Sequence, residues 1–95
     1  MSEADLNRRK RRILFRAKHR GMKETDLLLG RLADEVLPDL DAAGVAAFER
    51  LLEVPDAVIL DWVAGEATPP PEHDTALFER LRSYWFGPDS YGENL

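Results

Sequence analysis

One short block gathers side chains able to engage another molecule: Arg20-Gly21-Met22-Lys23-Glu24. Glycine adopts the positive φ that a sharp turn between two helices needs. With Gly21 at the turn, Arg20 closes one helix and Glu24 lies one turn into the next. The spacing predicts a cation and an anion offered together at one end of the molecule, with Met22 between them. Arginine and methionine are both favoured in protein contacts, so the chemistry is recognition rather than bond making. A plainer alternative is a local Arg20–Glu24 pair that only fastens two helices.

Other chemistries find little support. Glu24, Asp26, His19 and Ser83 make an acid–base set on paper, yet nothing in their spacing brings them together. His19 reads as an exposed residue at a helix end, where positive charge suits the dipole. The chain has no cysteine, which excludes disulfides, thiolate ligands and a cysteine nucleophile. His19 and His73 stand in separate contexts and do not make a zinc site. There is no Gly-rich phosphate loop, so no tightly bound cofactor and no active site of its own are expected.

The charge is uneven. Residues 1–20 carry eight Lys or Arg and two acids, a net of +6, while residues 21–95 carry five and sixteen, a net of −11. Such a dipolar layout gives one end a preference for an acidic partner surface. The alternative is a basic helix lying on the acidic body of its own domain. Arg8, Arg12, Arg16 and Arg20 form an i, i+4 ladder, and like charges at that spacing repel. Phe15 falls among them, either as a lid over arginine stems or as an exposed anchor.

These residues must be positioned by helices, because no run alternates with period two for long enough to make a strand. Five helical segments are expected: Asp5–Arg20, Lys23–Leu37, Ala42–Glu53, Ala57–Ala64 and Thr75–Trp85. Leu6, Ile13, Leu14 and Ala17 form a narrow apolar stripe on the first. Thr25, Leu28, Leu29, Leu32, Ala33 and Val36 form the core face of the second, with Leu27 on its outer side. Val45, Phe48, Leu51 and Leu52 face inward from the third, Ile59, Trp62 and Val63 from the fourth, and Leu77, Leu81 and Tyr84 from the fifth. Asp41, Asp56 and Asp74 are the expected N-caps of the last three helices. Gly65 ends the fourth, and Pro69, Pro70 and Pro71 mark a loop.

At 95 residues the chain is one domain, and 44% hydrophobic with 33% charged residues is a globular balance. The reading is an all-α, compact five-helix antiparallel bundle over residues 1–86, with 87–95 a flexible tail. No apolar run approaches the ~20 residues that span a bilayer. No apolar stretch follows Met1, and Glu3 and Asp5 argue against a transit peptide, so a cytoplasmic protein is expected.

The stretch from Arg11 to Ala33 resembles the signature of the succinate dehydrogenase FAD assembly factors, the flavinylation-factor family. Arg12, Phe15, Arg20, Gly21, Glu24, Asp26, Leu28 and Leu29 carry the resemblance, and Phe48, Leu51, Leu52, Glu53, Asp56 and Trp62 extend it. It covers about residues 8–64. Thr25 departs from it, since the family often has Leu there, and the prolines and the Tyr84-Trp85-Phe86 end are not mapped. The resemblance implies a five-helix bundle that binds the flavoprotein subunit of succinate dehydrogenase, with that of fumarate reductase as an alternative partner. The implied outcome is covalent attachment of FAD to a histidine of that subunit. Arg20, Gly21 and Glu24 carry over as docking residues; the full set expected to bind the partner adds Met22, Asp26, Arg12, Arg16 and Phe15, in a chain expected to be a monomer when free. The rival reading is a helical nucleic-acid-binding or other interaction module using the basic first helix, which the net acidic charge and the lack of a clear recognition helix disfavour.

Overall fold

A computed structural model describes residues 2–86, except the side chain of Phe86; the expectation of a flexible tail at 87–95 lies outside the described residues. Helix α1 spans Glu3–Lys18. The Ser2 hydroxyl accepts from the Asp5 N–H at 3.1 Å, so the helix begins two residues before the expected start. Glu3 and Asp5 in its first turn, and Arg16 and Lys18 in its last, suit the dipole at both ends. Ile13 and Ala17 are buried, flanked by half-buried Leu6 and Leu14.

Helix α2 spans Lys23–Val36 and buries Thr25, Leu28, Leu29, Gly30, Leu32 and Ala33. A 3-10 turn at Leu37–Asp39 follows, where Pro38 has no N–H to continue the α-helical ladder. Helix α3, Ala42–Leu52, is capped as expected: Asp41 Oδ1 accepts from the Gly44 N–H at 2.9 Å. Its inward residues Val45, Phe48, Leu51 and Leu52 are all buried.

Helix α4 spans Asp56–Ala64, and here the expected cap is corrected. Pro55 occupies the cap position, and no side chain caps the helix; Asp56 is its first residue and faces elsewhere. Gly65, at φ +82°, ends α4, and the Glu66 N–H reaches back to the Asp61 carbonyl at 2.8 Å. A 3-10 turn at Pro71–His73 leads to α5, Ala76–Phe86. The cap of α5 is also corrected: the Thr75 hydroxyl, not Asp74, accepts from the Phe78 N–H at 3.2 Å.

The core runs through all five helices, with Phe48, Phe78, Leu29, Leu32, Ile59 and Leu81 almost wholly removed from water. Each such side chain contributes about 1.5–3 kcal/mol relative to exposure. Trp62 is buried and meets Phe78 edge-on, with ring centroids 6.0 Å apart. Phe78 rather than Leu77 is the main inward residue of α5; Leu77 is half-buried. α2 is the central element and packs against α1, α4 and α5. Among the described residues there is no strand, and no helix is long and apolar enough to cross a membrane.

Candidate docking site at the first helix junction

The junction between α1 and α2 takes its shape from three backbone captures. The Arg20 N–H donates to Asp26 Oδ1 at 2.7 Å, which draws the chain out of helical geometry after Lys18, before the expected end at Arg20. Gly21 follows at φ +99°, a conformation that residues with a Cβ rarely adopt. The Met22 carbonyl then accepts from the Asp26 N–H at 2.9 Å and from the Thr25 hydroxyl at 3.1 Å. Thr25 is completely buried, so this bond satisfies a hydroxyl that would otherwise be stranded in the core.

The expectation that Arg20 and Glu24 would be offered as a pair is not met. The Arg20 side chain turns toward the segment between α3 and α4 and is only 10% exposed. Nε donates to Asp56 Oδ1 at 2.6 Å, Nη1 to the Leu52 carbonyl and Nη2 to the Val54 carbonyl, each at 2.5 Å. The cause is geometric: the Leu52 carbonyl at the end of α3 lacks an intrahelical donor, and the guanidinium fork meets it together with the Val54 carbonyl just beyond the helix and the Asp56 carboxylate. Glu24 is exposed and makes no hydrogen bond or ion pair among the described residues. The junction therefore presents one free anion, with the motif's cation turned inward.

The arginine ladder is likewise divided. Arg16 pairs with Glu53 at 2.5 Å, Arg8 with Asp5 at 3.1 Å, and Arg9 holds Glu49 through two nitrogens. That grip, against the opposing effect of burial, keeps the Glu49 carboxyl below its ordinary range. The reading of a basic helix on its own acidic body is thus partly realised. Arg12 stays exposed with no hydrogen bond or ion pair among the described residues.

Phe15 is 64% exposed and Leu27 55%, the two large hydrophobic side chains left open among the described residues. Each lies six positions from Gly21, one before and one after it. The Phe15 ring stacks on His19 with centroids 4.1 Å apart, and His19 Nδ1 donates to the Phe15 carbonyl at 2.7 Å. An open groove of about 350 Å³ separates Phe15 and His19 from Val54 and Pro55. A second, of about 570 Å³, runs beside Leu27 between Lys18 and Asp34, which pair at 3.0 Å. The Phe15 ring, the Leu27 side chain, the Glu24 carboxylate and, further along α1, the Arg12 guanidinium are exposed, and side chains of these kinds are used in protein contacts. Among the described residues no three His, Asp or Glu side chains converge where a metal ion would sit.

Residues 11–85 match the family model described as "Flavinator of succinate dehydrogenase". The chain belongs to this family. It is 36% identical over 81 residues to the FAD assembly factor SdhE of Acetobacter pasteurianus, covering 85% of this chain and 74% of that one. It is 35% identical over 81 residues to the mitochondrial succinate dehydrogenase assembly factor 2 of Drosophila grimshawi, covering 83% of this chain and 55% of the relative. The corresponding Dictyostelium discoideum protein is 28% identical over 81 residues, with 85% and 57% covered. The chain thus spans little more than half the length of these mitochondrial relatives. No solved structure matches it.

The flavinator match spans the whole junction and continues to Trp85. Of the residues singled out from sequence, the structure brings Phe15, Gly21, Met22 and Glu24 to the junction between α1 and α2. Arg16, Arg20 and Asp26 are engaged there with their own chain. Asp56 carried the family resemblance but was read as a helix cap; no local signal ties it to Arg20, because the two lie 36 residues apart.

Proposed function

We propose that this flavinator-family chain binds the flavoprotein subunit of succinate dehydrogenase through the α1–α2 junction and promotes covalent attachment of FAD to it, as a cytoplasmic assembly factor without an active site of its own. The observation that carries this reading is that Phe15 and Leu27, six positions before and after the Gly21 turn, are both open to solvent, as is Glu24. Apolar side chains held on a preorganised backbone lose little entropy on binding.

Attachment would join a histidine nitrogen of the subunit to the 8α carbon of FAD: the methyl group and the imidazole each lose a proton, the electron pair enters the ring, and the two-electron-reduced flavin so formed returns to the oxidised state by passing its electrons to an acceptor such as dioxygen. The reaction demands alignment of the histidine with the carbon, and stabilisation of charge on the ring. Docking of the junction selects the conformation of the immature subunit in which histidine and flavin are aligned, and the subunit supplies the reacting groups. Arg12, with the basic residues around it, draws the acidic partner surface in. FAD stays with the partner, and the chain acts as a monomer. A nucleic-acid role is disfavoured by the pairing of Arg9, Arg16 and Arg20 with carboxylates of their own domain.

The test is in-gel flavin fluorescence of the subunit produced with and without this chain. A covalent flavin band that depends on the chain supports the proposal; an equally bright band in its absence refutes it.

A further inference from the structure

The Arg20 guanidinium is largely committed within its own chain: three of its five N–H bonds are used and the side chain is only 10% exposed. Each of its three nitrogens already donates, to Asp56, to Leu52 and to Val54. Its backbone N–H is held by Asp26. Arg20 is thus fixed from two sides immediately before Gly21, where the chain turns from α1 into α2. Among the described residues Asp56 supplies the single carboxylate on that guanidinium, and its side chain is only 21% exposed. At the first position of α4 an aspartate would serve the helix dipole from anywhere in the turn. Here its Oδ1 instead lies 2.6 Å from Arg20 Nε, across the gap between α1 and α4.

We infer that Asp56 is a positioning residue of the docking site: through Arg20 it fastens the junction to the turn between α3 and α4 and so fixes how Met22 and Glu24 face the partner. The inference rests on the proposed docking of the junction. It assigns Arg20 to shaping the surface rather than touching the partner, and it makes the two remote segments one unit. A lysine would keep the charge but lose the fork that meets three acceptors at once.

The test measures binding to the purified flavoprotein subunit for wild type, Asp56→Ala, Asp56→Asn, Arg20→Ala, Arg20→Lys, the double alanine variant and Glu24→Ala, using only protein that circular dichroism shows to be folded. Asp56→Ala and Arg20→Ala are each expected to weaken binding about tenfold, with the double variant no weaker than Arg20→Ala alone, as for residues acting as one unit. Asp56→Asn, which keeps an acceptor for Nε, is expected to retain binding within about threefold of wild type. Amide shifts of Gly21, Met22 and Glu24 should move in Asp56→Ala while those of Phe78 and Leu81 stay, which a general loss of stability would not produce. Should Asp56→Ala fail to fold, Arg20→Lys carries the test: the same weakening and the same local shifts are expected from it, and unchanged binding overturns the inference.

Two further outcomes overturn it. One is Asp56→Ala binding like wild type while Glu24→Ala does not. The other is losses that add in the double variant, which would put Asp56 itself against the partner. If neither Asp56→Ala nor Glu24→Ala affects binding, the docking reading fails and this inference falls with it.

Discussion

Glu35 Oε1 accepts from Arg80 Nη2 and from the Tyr84 hydroxyl, each at 2.9 Å, and so ties α2 to α5. Arg31 completes the arrangement, donating to Glu35 Oε2 at 3.0 Å with its guanidinium 4.1 Å from the centre of the Tyr84 ring. Arg80 first, then Arg31 and the Tyr84 hydroxyl, pull the Glu35 carboxyl from its ordinary 4.5 down to about 2. Between those values the unfolded chain binds more protons than the folded one, so stability rises with pH across that interval. The contribution is fully present above pH 4.5 and is lost as pH falls through about 2. Glu35→Gln should therefore flatten the fall in melting temperature from pH 5 toward pH 2. An unchanged acid profile would show that the ion pairs are too exposed to matter.

Gly21 separates backbone strain from docking. An added Cβ there meets nothing within 4 Å, so the strain comes from φ +99° alone. Gly21→Ala and Gly21→Leu should both destabilise by about 1–2 kcal/mol in urea unfolding, the cost of a left-handed conformation for an L-residue. Their effects on binding should diverge, because the leucine side chain projects into the space a docked partner needs. Equal binding by the two variants would move the partner away from Gly21.

The cap of α5 gives a clean comparison between neighbours. Thr75→Ala removes the acceptor of the Phe78 N–H and should cost about 1 kcal/mol, while Asp74→Ala should cost a few tenths. Equal losses in thermal unfolding would restore Asp74 as the cap.

The helices were legible because their apolar residues recur at helical spacing, and the buried faces of α1, α2 and α3 follow that pattern closely. The fifth helix was harder. Leu77 and Phe78 are both apolar, and periodicity over so short a segment cannot choose between adjacent registers; packing against Trp62 chooses Phe78. His73 lies in a proline loop with no period at all, yet it is buried beside Trp62 with ring centroids 5.5 Å apart. The site was legible in part. The turn at Gly21 and the exposure of Phe15, Leu27 and Glu24 followed from residue type and helical phase. The fate of Arg20 did not, because local spacing points to Glu24 as its partner, whereas the Leu52 and Val54 carbonyls and Asp56 reach it only through tertiary packing. An aspartate at the start of a helix also reads first as a cap, which concealed Asp56.

The most direct measurement is covalent flavin per flavoprotein subunit when the purified apo-subunit is incubated with FAD and either this chain or its Phe15→Ala/Glu24→Ala variant. Both side chains are exposed, so the variant should keep the wild-type melting temperature within about 2 °C, as surface changes generally do. The account predicts that it drives at least about tenfold less attachment than the wild-type chain, the scale expected when central contacts of an interface are lost. Attachment at the wild-type rate by the folded variant would contradict it.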